Sequence, residues 1–431
     1  MSADEILFTL FVVFILGAIV VLANLADRRR DRSLRNMLLL TLAGINVLVV
    51  VLYGVMQLAM AYSPDSDDIN PPSENEAVAA MIGSLLLAGL GTAALIEPVR
   101  ARMTVFMPRR DQPAPLPQPE IDSQLVLDPE KAIELPLPDA VAPTHMVGVI
   151  NTSKEAEPLF PQMFDYYTDS SVLVPRRIEF HGSAPTIIES VRRGFDSGSM
   201  VHLVALVFCL HMLGVQFINF ILGGGLEGIA EQYEEEGLSA LDLLINGLPL
   251  LLIPVLGVGL GVRRNLPQTL KRLGLEVPTV QGLGAVVGVT FGLFVFVILV
   301  GSLWMGLVSE ETYEEQNEAS SALSDSVTTI GLAFLLAATA AVTEEIAFRG
   351  ALQPIFGFWP TALLFALTHA QYTLTPAWFI IFGVAVGFGW LRRRFNTTTS
   401  MLAHFLYNFI PLALSTVVPE EEALLWITRL F

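Results

Sequence analysis

Residues 341–350 read AVTEEIAFRG, in which two adjacent glutamates, Glu344 and Glu345, and an arginine, Arg349, interrupt an otherwise apolar run. Two further clusters follow: Phe365 and His369 in LLFALTHAQ, and His404 and Asn408 in MLAHFLYNF. Within each cluster two members stand four residues apart, so on a helix they share one face. Ionisable groups in an apolar segment are costly unless they pair or face a wet interior. Arg349 lies one turn from Glu345, and these two are expected to form a structural ion bridge. Glu344 points about a quarter-turn away and is left freer. A carboxylate near a histidine can take a proton from water. His404 and Asn408 can then donate hydrogen bonds to the oxyanion formed when that water attacks a carbonyl. This is peptidase-like chemistry without a serine or cysteine nucleophile.

The segments that must position these groups are apolar. Runs near the length needed to cross a bilayer occur at 6–25, 37–60, 77–96, 200–222, 240–262, 282–307, 327–356 and 400–418, with shorter ones at 358–371 and 376–391. Lipid leaves helices as the way to satisfy their backbone, since the runs are too continuous for barrel strands. The expected fold class is therefore an all-α polytopic membrane protein of about ten transmembrane helices. Arginine clusters at 28–35, 100–110, 192–193, 263–272 and 392–394 alternate with loops that hold no lysine or arginine, such as EGIAEQYEEEG and PEEE. The positive-inside rule makes the first set cytoplasmic and places both termini outside. Ile6–Leu25, with its arginines following rather than leading, reads as an anchored first span rather than a signal peptide.

Depth along the helices offers a check on a common site. Counting ~1.5 Å per residue from the cytoplasmic ends, Glu344 lies roughly 20 Å deep, His369 roughly 17 Å and His404 roughly 12 Å. The three clusters can meet below the cytoplasmic face.

Composition agrees with a membrane protein: of 431 residues, 53% are hydrophobic and 15% charged. The single Cys209 excludes a disulfide framework and a cysteine metal site. The net charge of -18 resides in short loops, and no basic stripe suggests nucleic acid. Four regions follow: 1–96, three spans; 97–199, a cytoplasmic proline-rich linker (DQPAPLPQPE) with room for a small polar domain around VLVPRRIEF; 200–418, the motif-bearing region; and a tail, 419–431. No internal repeat stands out, which counts against a transporter.

EExxFR, then FxxxH, then HxxxN resembles the CPBP family of intramembrane proteases, also called Abi, which includes type II CAAX prenyl endopeptidases and bacteriocin-immunity proteins. Gly350 and the glycine-rich FGVAVGFGWLRRRF extend the likeness, which covers roughly 200–418. The resemblance implies a CPBP-like bundle in the last seven helices. It implies that Glu344 and His369 activate the hydrolytic water, that His404 and Asn408 form the oxyanion site, and that Glu345, Arg349 and Phe365 support them. It also implies a peptide or lipidated protein substrate, prenylated or not, in the bilayer. The expected location is the plasma membrane of a prokaryote, with the site opening toward the cytoplasm.

Zinc stands as an alternative to a metal-independent glutamate mechanism, because Glu344, His369 and His404 could supply three ligands with an open position. No HExxH helix is present. Two other functions stay open: a proton-coupled transporter using the same groups as a relay, and a non-catalytic immunity or scaffold protein. Outside the clusters, His202 and His211 read as packing or lining residues, His145 and His181 as ordinary polar-segment residues, and Gly383, Gly387 and Gly389 as a close helix contact. The oligomeric state is open.

Overall fold

The computed structural model describes residues 2–62, 71–108, 194–309, 314, 318, 321–370 and 378–417. The proline-rich stretch, VLVPRRIEF, His145, His181 and the tail from 419 lie outside the described residues. So do Arg109, Arg110, Arg192 and Arg193.

The chain is an all-α polytopic membrane protein. Among the described residues, seven helices are long and apolar enough to cross a membrane: α1 (Ala3–Arg29), α2 (Arg32–Ala61), α3 (Glu74–Leu95), α5 (Met200–Leu222), α7 (Ala240–Gly257), α9 (Val280–Met305) and α10 (Ile330–Phe356). α11 (Phe358–Leu367), α12 (Trp378–Arg394) and α13 (Thr397–Ser415) complete the set. Each of the ten apolar runs thus coincides with a helix. Short helices α4 (Glu97–Met103), α6 (Gly225–Glu236) and α8 (Leu266–Leu273) lie between them.

Helix starts are written locally. Ser2 with Glu5, Ser73 with Glu76 and Asn265 with Gln268 form reciprocal capping boxes. Ser199, Ser239, Thr279, Thr329 and Asn396 each accept from a backbone N–H of the first turn. α6 departs from the sequence expectation, which took EGIAEQYEEEG for a loop. Leu226, Ile229, Ala230 and Tyr233 recur at helical spacing, and Ala230 is buried beneath the acidic face. Charge density masked that period.

α10 crosses α13 and α7, α11 lies along α12, and α9 packs on α12 and α13. Glycines allow the α9–α12 approach: a Cβ at Gly383 would come 2.3 Å from the Phe296 ring, and one at Gly387 3.2 Å from Leu293. The N-terminal helices pack against this bundle, α1 on α7 and α5, α3 on α5. Asn24 donates to the carbonyls of Leu256 and Gly257, at the end of α7. Asp27 accepts from Ser199 Oγ and from the backbone N–H of Met200, where a carboxylate complements the start of α5, and it pairs with Arg263 at 3.2 Å.

Both ends of the polar segment fold back onto the helices. Arg100 of α4 is buried and donates to the carbonyls of Ala94 and Ser197. Phe195 bonds through its N–H to the Pro108 carbonyl and packs its ring 6.0 Å from Phe356 of α10. Gly357, at φ +93°, turns α10 directly into α11.

Candidate active site

Glu344 and Glu345 sit near the middle of α10, where the helix widens. Glu345–Leu352 is a π-helical stretch inside an α-helix, a local irregularity often found at functional positions. Widening displaces carbonyls from their usual partners, and two arginines take them up. Arg392 of α12 donates to the Arg349 carbonyl at 3.1 Å, and Arg272 of α8 to that of Gly350 at 2.9 Å. The sequence offers these arginines as markers of the cytoplasmic side; here their side chains also hold the motif-bearing turn.

Glu345 is wholly buried, and all its oxygens are engaged. Its Oε1 lies 3.1 Å from Arg349 Nη1 and 3.0 Å from His404 Nδ1, while Oε2 accepts from Ser400 Oγ. The Arg349 contact is close without lying along a hydrogen-bond axis, so it acts as a charge pair. Arg349, 1% exposed, also donates to the Ala385 carbonyl at 3.4 Å and stacks 4.1 Å over the Phe365 ring. Glu345 therefore has no lone pair aimed at a substrate. Its neighbour is more open: the Glu344 side chain is 22% exposed.

His404 connects the two acids. Because a carboxylate accepts at Nδ1, that nitrogen carries the proton, and Nε2 is turned toward Glu344 Oε2, 4.0 Å away. That gap is too long for a direct hydrogen bond and suits one bridging water. The imidazole plane is fixed by Phe388, stacked at 4.7 Å and 23°, and by the edge of Phe365 at 6.2 Å.

His369 follows the end of α11, half-buried, with Nδ1 2.9 Å from the Phe365 carbonyl and its ring 4.9 Å from the Phe365 ring. Asn408 is half-buried on the His404 face of α13, and among the described residues it has no hydrogen-bond partner. The fold thus brings Glu344, Glu345, Arg349, Phe365 and His404 into one contact network. It sets His369 against that network through Phe365, and Asn408 one turn beyond His404. Ser400 and Phe388 belong to the network and carry no motif in the sequence. Ser400 stands four residues before His404, so the spacing rule that linked the other pairs was its one legible signal.

The donor set does not suit zinc. Among the described residues no three His, Cys, Asp or Glu side chains gather as a metal ion needs.

Fold and site together define a polytopic membrane protein with an acid–histidine cluster buried among its C-terminal helices. Within the chain, residues 326–410 match the family model of type II CAAX prenyl endopeptidase Rce1-like proteins. That segment holds every motif residue from Glu344 to Asn408 and agrees with the resemblance to the CPBP family. No curated protein and no solved structure matches the chain.

Proposed function

We propose that this chain is an intramembrane endopeptidase that hydrolyses a peptide bond of a membrane-associated substrate. The observation that carries the reading is the division of labour between adjacent glutamates: Glu345 is saturated by Arg349, His404 and Ser400, whereas Glu344 is 22% exposed and stands 4.0 Å from His404 Nε2. The family match supports a protease of the CAAX type acting on a protein within the bilayer.

A water in that gap loses a proton to Glu344 as its oxygen attacks the scissile carbonyl. The resulting oxyanion accepts from the Asn408 amide N–H, while His404 Nε2 accepts from the other O–H of the attacking water. Glu344 returns the proton to the leaving nitrogen, the C–N bond breaks, and the new carboxylic acid passes its remaining proton to the amine, so that a carboxylate and an ammonium depart. By the family likeness His369, just past the end of α11 and packed on Phe365, helps orient the water. The arginines between α7 and α9 and at the end of α12 support a site open toward the cytoplasm. A lipidated, CAAX-like peptide is the first substrate to try.

Full-length protein in detergent micelles, incubated with farnesylated and unmodified CAAX peptides and read by mass spectrometry, tests the proposal. Wild type is expected to cleave, and Glu344→Ala to lose on the order of a hundredfold or more while inserting and folding normally. Cleavage retained by Glu344→Ala would defeat the assignment.

A further inference from the structure

We infer that Ser400 is a positioning residue of this site: by fixing Glu345 it sets which nitrogen of His404 faces Glu344. The inference rests on the endopeptidase reading for its kinetic consequence and on geometry alone for its structural one.

A serine inside a helix ordinarily returns its hydroxyl to a carbonyl one turn back on its own helix. Ser302, Thr41 and Thr269 do so here, bonding to Ile298, Met37 and Asn265. Ser400 does not. It is fully buried on α13 and reaches across to Glu345 Oε2 on α10, with the Phe388 carbonyl of α12 at 2.9 Å as a second acceptor. One hydroxyl thus ties together the three helices that build the site.

Its effect on His404 follows through Glu345. With Oε2 held by Ser400, the carboxylate cannot turn about its terminal bond, and Oε1 stays on His404 Nδ1 at 3.0 Å. Phe388, whose carbonyl neighbours the same hydroxyl, stacks on the imidazole and keeps its plane. Ring plane and Nδ1 being fixed, Nε2 has one direction left, toward Glu344. The neutral imidazole is then locked with its proton on Nδ1 and an open acceptor where the water must sit. Without the hydroxyl, Oε2 is left buried and unpartnered, and rotation of Glu345 lets the other tautomer in.

The test uses full-length Ser400→Ala and Ser400→Thr with two independent measurements. In 15N-histidine NMR without substrate, His404 is assigned by its loss in His404→Gln. Wild type and Ser400→Thr should show protonated Nδ1, and Ser400→Ala a mixture of tautomers. In the peptide assay, Ser400→Ala should lower kcat about tenfold or more with KM within about twofold, and Ser400→Thr should restore most of the loss. A Ser400→Ala protein with the wild-type tautomer overturns the inference, whether it cleaves normally or merely melts earlier. Should the wild type itself fail to cleave, the endopeptidase reading falls, and the tautomer spectra still decide the role of Ser400.

Discussion

Replacing Arg349 by methionine separates what the buried ion pair does for stability from what Glu345 does for chemistry. Arg349 and Glu345 are 1% and 0% exposed, so neither charge can turn to solvent when its partner goes. Breaking such a pair costs about 3–5 kcal/mol, because one charge is left uncompensated in a low dielectric. The structure places Arg349→Met at the lower end, about 3 kcal/mol, since His404 and Ser400 still contact the carboxylate. Removing both charges in Glu345→Leu/Arg349→Met should recover most of that loss, because apolar replacements of a buried pair are often neutral. Cleavage should not return, as leucine cannot accept from His404 Nδ1. Unfolding free energies can be followed by SDS titration, using the fluorescence of the five tryptophans, alongside the peptide assay. An Arg349→Met cost below about 1 kcal/mol, the level of an exposed pair, would refute the reasoning. A double variant no more stable than the single one would refute it as well.

Three further outcomes are expected. Arg392→Gln removes the guanidinium that bonds the Arg349 carbonyl and should cost about 1.5–3 kcal/mol in the same titration; an unchanged midpoint would mean the π-helical turn needs no such support. Gly357→Ala places a Cβ 2.7 Å from the Pro108 ring at a residue with φ +93°, and a loss of about 1–3 kcal/mol should follow; Gly284→Ala, with open space around it, should be neutral or slightly stabilising. Cleavage should survive treatment with a strong chelator, because the carboxylates and imidazole do not assemble as a zinc donor set; a loss reversed by added zinc would overturn that.

Much of the architecture was legible because membrane helices are written in local terms. Hydropathy marked each of the ten helices, while their starts, such as the Ser73–Glu76 capping box just before the apolar run at 77, were not read. α6 escaped notice because its period is carried by four residues among many acids. The glycines of α12 were readable as a contact, whereas their partners, Phe296, Leu293 and Phe358, were not. At the site, spacing named Glu345 with Arg349 and His404 with Asn408. It gave no hint that His404 also engages Glu345, since residues 59 apart share no period. Likewise, Arg272 and Arg392 carry a topological signal through charge alone, and their bonds to the α10 carbonyls depend on where α8 and α12 end.

The sequence by itself determined that this protein lives in a membrane as helices, and which helical faces carry acid, base and amide. Both follow from short-range rules, the backbone's need for internal hydrogen bonds in lipid and the 3.6-residue turn. Only the tertiary structure decided that Glu345 is spent on Arg349, His404 and Ser400 while Glu344 stays open. The two glutamates are neighbours with identical chemistry, so nothing local distinguishes them. What does is the set of helices each one meets, a property of packing between segments far apart in the chain.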